Sequence, residues 1–354
     1  MFSLASLSFQ NSVNQECFPQ ETGRGVGVAP ANLFDETILV EPQDMTKQPM
    51  PTMDLKAGIM LLLLAAVWGG SFFFGEVALS EVPPLTITLH RVIWAVPILA
   101  LIVKFKGLSV PNTPRIWGAY LVMGALNNAI PFSLIFWGQT QIDSGLASIL
   151  NATTAMFAAV VAGLLLKDEP LTPKKIAGAS LGILGVAFIM GPSALNEFNP
   201  SNLAQLAILG ATLSYAFAGV WGRTALSGQP PLVNALGMLA GSTVLMIPIV
   251  LVMDGPPNFA LSAGVWAALL GMAALSTALA YVLYFAILAR AGAANLLLVT
   301  LLIPPFAIGL GVTFLGERME PSAWIGFAII ALGFAVTDGR LFSYISKRKP
   351  QQAE

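Results

Sequence analysis

Polar residues punctuate this chain at short, regular intervals. From Ala57 onward, apolar runs alternate with brief breaks rich in proline, glycine, asparagine and charge: EVPP, KGLSVPNTP, KDEPLTP, NEFNPSN, SGQPP, DGPPN and ERMEP. An α-helix rises 1.5 Å per residue, so about 20 apolar residues cross the hydrocarbon core of a bilayer. Ten runs approach that length: 57–79, 84–103, 115–138, 144–166, 174–191, 203–224, 232–253, 264–289, 293–315 and 322–338. Backbone amides in hydrocarbon must be satisfied within their own segment, which leaves helices as the spanning element. The pattern predicts an all-α polytopic membrane protein with ten transmembrane helices and the lipid bilayer as its first partner.

Composition agrees. Of 354 residues, 56% are hydrophobic and 10% charged, and the mean hydropathy is +0.77. A soluble fold of this length has too little interior for that much apolar surface. The net charge of −1 points to no charged partner, nucleic acid included. One cysteine, Cys17, excludes a disulfide framework and a cysteine-based metal site, and one histidine, His90, excludes any site needing two. Phosphate-binding glycine loops, a Walker A pattern and HExxH are absent, so no enzyme, cofactor or metal site is expected.

Residues 1–52 read differently. They are polar and acidic, with Glu16, Glu21, Asp35, Glu36, Glu41 and Asp44 against Arg24 and Lys47. No basic stretch leads into an apolar one, so this is not a signal peptide. The expectation is a disordered polar tail, or an over-long gene reading, since Met45, Met50 and Met53 all precede the first apolar run. Residues 339–354 form a basic tail.

Lys and Arg set the orientation. With the N-terminus inside, the inner loops and tails hold Arg24, Lys47, Lys56, Lys104, Lys106, Arg115, Lys167, Lys174, Lys175, Arg223, Arg290, Arg340, Lys347, Arg348 and Lys349. Only Arg318 lies outside, and Arg91 lies within a run. By the positive-inside rule both termini are cytoplasmic, and the chain is a multi-pass protein of the cell inner (plasma) membrane.

The chain also resembles itself. At a shift of 147 residues Gly124 falls on Gly271, Gly145 on Gly292, Ala147 on Ala294 and Leu150 on Leu297. After a one-residue slip Glu169, Pro173 and Gly178 fall on Glu317, Pro321 and Gly326. Two repeats follow, 57–191 and 203–338, each with five helices. Five is odd, so the second copy enters the membrane inverted. Inverted repeats belong to secondary transporters that bind substrate near the midplane between the halves.

WGGSFF in the first helix resembles the EamA family of the drug/metabolite transporter superfamily. So do SGLASILNATTAMF with KDEPLTPKKIAGASLGILGV, STALAYVLYFAILARAGAANLLLVTLLIPPF, and FLGERMEPSAWIGFAIIALG. The likeness covers about residues 57–338. It implies ten helices, two EamA domains and transport of small metabolites such as amino acids. One departure is visible. The family often places proline in the fourth helix where this chain has Ala155 or Met156, so a proline hinge is not carried over to the first half; the second keeps Pro304 and Pro305.

Depth along each helix picks out the polar candidates. Trp68 lies roughly 17 Å into the first helix, near the midplane, and Tyr215 is its mate in the sixth. Asn127, Asn128, Asn151, Thr154, Ser276 and Thr277 fall within roughly 5 Å of that plane, with Ser71, Tyr281 and Thr300 nearby. Such side chains serve either as glue between helices or as substrate ligands. Glu76 and Arg91 lie at similar depth on adjacent helices, with His90 beside Arg91. Each charge alone costs about 2.5–3.5 kcal/mol on insertion scales, so Glu76 and Arg91 are expected within salt-bridge reach of each other in at least one state. That pair is a structural clasp, or a gate in which Arg91 binds a substrate carboxylate and Glu76 or His90 titrates. Glu169 and Glu317, each four residues before a proline that can open a helix, read as helix caps. The expected function is a secondary transporter moving an amino-acid-like metabolite, with export as the direction and protons as the coupling ion. The alternative is a channel, or a structural or receptor-like membrane protein without transport.

Overall fold

The computed structural model describes residues 54–190 and 200–338; the tails read at 1–52 and 339–354 lie outside the described residues. Within the described residues there are ten long helices and no strand. They are α1 Leu55–Leu79, α2 Pro84–Phe105, α3 Pro114–Gln139, α4 Ser144–Leu165 and α5 Pro173–Met190, then α6 Pro200–Ala225, α7 Pro231–Met253, α8 263–291, α9 293–315 and α10 Pro321–Asp338. Each lies within a turn of its predicted run. Seven, α1 to α4 and α6 to α8, are long and apolar enough to cross a membrane whole.

The helix starts follow from the polar breaks. Pro84, Pro114, Pro173, Pro200, Pro231 and Pro321 each open a helix. A first-turn proline loses no hydrogen bond and arrives with helical φ. α1 is capped by Asp54, whose carboxylate accepts from the Ala57 amide at 2.8 Å, and α8 by Ser262, whose hydroxyl accepts from Val265 at 3.3 Å. α8 and α9 meet at Gly292, where φ is 78° and ψ 167°. Only glycine takes that conformation without steric cost.

The two repeats, α1–α5 and α6–α10, interlock. α1 packs on α8 and α9, and its mate α6 packs on α3 and α4. α2 packs on α7, and α5 on α10. The bundle is therefore held mainly by contacts between halves. The Lys- and Arg-rich loops lie at one set of helix ends, called here the basic side; the other ends form the far side.

α5 and α10 form a pair of their own. They pack chiefly on each other, with Ile183, Leu184, Trp324 and Leu332 exposed on their outer faces. Their seam is built on glycine. A Cβ at Gly185 would stand 2.8 Å from the Gly326 carbonyl oxygen, and one at Gly333 would stand 2.7 Å from that of Gly178. Small residues let membrane helices approach this closely, where lipid tails offer no hydrophobic gain for association.

Four central helices are irregular, in matched pairs. α3 contains a π turn at Ala125–Ala129 and α8 one at Ala274–Leu279. α4 is interrupted at 152–153 and α9 at 297–298. These irregularities line the middle of the bundle.

Candidate functional site

A cavity with about 680 Å³ of empty space lies among α1, α2, α3, α4, α6, α8 and α9. Of the residues picked from the sequence, Trp68, Ser71 and Arg91 line it from the first two helices. Asn127, Asn151 and Tyr215 add to it from α3, α4 and α6, and Ser276, Thr277 and Tyr281 from α8. The two π turns carry its polar floor: one bears Asn127 and Asn128, the other Ser276 and Thr277. A π turn adds one residue to a helical turn and shifts the side chains after it; such turns recur at functional sites.

Arg91 is the chemical centre. It is 7% exposed, and its guanidinium reaches three neutral groups. Nε donates to the Thr277 hydroxyl at 3.1 Å, Nη1 to the Ser71 hydroxyl at 2.7 Å and Nη2 to the Ser276 carbonyl at 3.5 Å. The Arg91 Cζ stands 3.8 Å from the centroid of the Phe132 ring, a cation–π contact. Among the described residues no carboxylate pairs with it. Five N–H donors exceed what these partners take up, and the charge is uncompensated.

A second network holds α3 to α7 and α8. Asn128 donates to the Ser242 hydroxyl at 2.8 Å and accepts from the Tyr281 hydroxyl at 3.3 Å, and the Asn127 amide lies 3.2 Å from the same hydroxyl. Asn128 is fully buried behind the cavity wall. The Asn151 Oδ1 in the wall is buried with no hydrogen-bond partner.

A family model described as the EamA-like transporter family matches residues 56–191 and 202–337, one copy on each repeat. The chain belongs to the EamA-like transporter family. The "Uncharacterized transporter YoaV" of Bacillus subtilis (strain 168) is 25% identical over 282 residues, covering 79% of this chain and 95% of that protein. The "Probable amino-acid metabolite efflux pump" of Escherichia coli (strain K12) is 25% identical over 296 residues, 80% of this chain and 95% of that one. A solved crystal structure superposes with a TM-score of 0.59 at 15% identity, covering 83% of this chain and 99% of its own, which supports the fold alone.

Within the EamA repeats the remaining candidates divide. Thr154 and Thr300 lie outside the cavity wall and donate to carbonyls of their own chain turn, Asn151 O at 2.6 Å and Leu297 O at 2.9 Å. The Glu76–Arg91 pair is not formed in this state. Arg91 turns toward α8 and is held by Ser71, five residues and roughly 7.5 Å before Glu76 along α1. Glu76 instead accepts from the Gln139 amide at 3.3 Å, and that amide also donates to the Phe72 carbonyl at 2.8 Å. His90 stands apart from both, its Nδ1 accepting from the Trp94 indole at 2.9 Å in a cluster with Phe259 and Trp266.

The two caps also need correction. Glu317 does cap a helix, but α4 of the other repeat rather than α10: it accepts from the Ser144 amide at 2.9 Å and the Gly145 amide at 3.1 Å. Among the described residues Glu169 caps no helix; its Oε1 pairs with Arg223, which also holds Asp168. Burial holds the Glu169 carboxyl above its ordinary range, with Arg223 working against the rise. Phe72, Phe132, Ile135, Phe136, Gln139, Tyr284 and Ile303 line the cavity without having been singled out from sequence. Tyr284 had a signal, three residues after Tyr281 on the same helix face. Phe132 had none.

Proposed function

We propose that this chain is a secondary transporter that exports an amino-acid-like metabolite by alternating access, and that Arg91 binds its carboxylate. The observation that carries this reading is the buried Arg91 guanidinium in the cavity wall, served only by neutral groups. A planar carboxylate accepts two parallel N–H bonds from a guanidinium and supplies the missing charge. The aromatic wall of Trp68, Phe72, Phe136 and Tyr284 suits an apolar substrate body. The efflux-pump name of the Escherichia coli relative supports the same substrate class. The bias of Lys and Arg supports a basic side that faces the cytoplasm, with the protein in the plasma membrane. Glu76, bonded to neutral Gln139, is the carboxylate available to carry a coupling proton.

The test is counterflow in proteoliposomes with a panel of labelled amino acids, with and without an imposed pH gradient. Wild type moves at least one of them. Arg91→Gln lowers the rate about 100-fold or more while the protein still purifies as a folded species, since an amide loses the charge and the fork. Arg91→Lys retains the charge without the fork and falls in between. Full transport by Arg91→Gln would end the assignment. No flux of any amino acid by wild type would end the substrate class.

A further inference from the structure

The internal repeat gives several features on one side of the bundle a mate on the other. Glu317 is the mate of Glu169, and the Ser144–Gly145 start of α4 is the mate of the chain around Gly292 at the start of α9. On the far side the pair is joined: both Glu317 oxygens accept amides from α4, at 2.9 and 3.1 Å, across the boundary between repeats. On the basic side the mate pair is apart. Glu169 Oε1 is held by Arg223, while Oε2 is buried with no partner.

Helix packing follows the same division. The first segment of α4, Ser144–Asn151, packs on α9, whereas its second segment, Thr154–Leu165, packs chiefly on α6, α5 and α10. So α4 and α9 converge on the far side and part toward the basic side. The breaks at 152–153 and 297–298 lie between the two regimes. The first amides of any helix lack partners within it and attract a carboxylate. Arg223 keeps Asp168 as a partner whether or not Glu169 stays.

We infer that Glu317 and Glu169 are reciprocal latches of the transport cycle. On this inference Glu317 on the α4 amides, the contact present in this structure, holds the far side shut. In the other end state Glu317 lets go, Glu169 leaves Arg223, and its carboxylate closes on the first amides of α9 after Gly292. The same contact is thus made alternately at two inverted places. The inference rests on the transport reading for its purpose, and its test reads conformation rather than flux.

The experiment uses the full chain in lipid nanodiscs with Cys17→Ser, which removes the single native thiol. Spin labels are placed at Gln141→Cys with Glu320→Cys across the far side, and at Lys167→Cys with Ala289→Cys across the basic side; all four positions are exposed. Distances are measured by pulsed dipolar spectroscopy. Glu317→Gln weakens two charge-assisted bonds, so the far-side distance lengthens and the basic-side distance shortens, with the state ratio moving about tenfold. Glu169→Gln, which leaves the present far-side contact intact, moves the ratio the opposite way. If both variants leave both distributions unchanged, or both move them in one direction, the latches are refuted. Should Glu317→Gln not fold, the Glu169→Gln arm decides alone: an unchanged or reversed distribution refutes the inference. Wild-type counterflow, run in parallel, separates failure of the latches from failure of the transport reading.

Discussion

Where the two repeats are tied together, carboxylates on the far side bind backbone amides, and those on the basic side bind guanidinium groups. Glu317 takes the amides of Ser144 and Gly145, Asp254 takes the amide and hydroxyl of Thr86 at 3.0 and 2.7 Å, and Glu81 takes the amide of Ser262 at 2.8 Å. All three ties join one repeat to the other. On the basic side the ties are Asp54 with Arg290 and Arg223 with Asp168 and Glu169. Amides at a helix start are fixed in direction and cannot leave with a side chain, so those ties hold a geometry. The basic-side ties join side chain to side chain, and the exposed pair among them, Asp54 with Arg290, holds little and is screened by salt. The difference separates ties anchored on the backbone from ties between side chains.

The largest effect that could break this contrast comes from Asp254→Ala. It removes two bonds from α2 to a partly buried carboxylate, and a lost charge-assisted bond costs about 1.5–3 kcal/mol. Thermal unfolding in detergent should show a clear drop in Tm; an unchanged Tm would mean the far-side ties are ornamental. A middle-sized effect sharpens the contrast. Raising salt to about 1 M cuts the Debye length to about 3 Å. Hydrogen exchange should then quicken at the start of α1, beside the exposed Asp54–Arg290 pair, and leave the Ser144 and Gly145 amides as protected as before. Equal change on both sides would erase the distinction. The smallest effect concerns pH. The Arg290 guanidinium beside Asp54 and the Ala57 amide hold the Asp54 carboxyl at about 2, below its ordinary value of 3.8. A depressed carboxyl contributes its stability above the ordinary value and loses it as pH falls toward the folded one. The Tm difference between wild type and Asp54→Asn should therefore be small, constant above pH 4, and vanish between pH 4 and about 2. A difference that grows on acidification would reverse the sign and the cause.

Much of the fold could be read from the sequence because its determinants are local. Run length gives a span, and Pro84, Pro114, Pro173, Pro200, Pro231 and Pro321 mark helix starts. The inverted repeat was visible because Glu169–Pro173–Gly178 recurs at Glu317–Pro321–Gly326. The interlocking of the halves was not, since nothing in α1 states that its neighbours are α8 and α9. Nine of the residues picked out by depth line the cavity, while Gln139 and Tyr284 line it and were missed. Depth cannot give direction around the helix axis, which is why Glu76 and Arg91 were paired and are not. The π turns were invisible for a related reason: ALNNA and ALSTAL carry no residue that forbids an ordinary α turn. Glu317 was recognised as a cap, yet its partner lies 173 positions earlier in the chain, beyond any local signal.

The glycine seam between α5 and α10 has a genealogical side. Gly178 faces Gly333, and Gly185 faces Gly326, so each half offers the other the same surface. A surface of that kind is self-complementary and would join two separate copies of a five-helix unit as readily as two halves of one chain. Covalent fusion then adds no new contact at the seam. It fixes one copy of each orientation in every molecule, and once that ratio is guaranteed the two halves are free to diverge in sequence, one keeping a pair of asparagines in its π turn and the other a serine and a threonine.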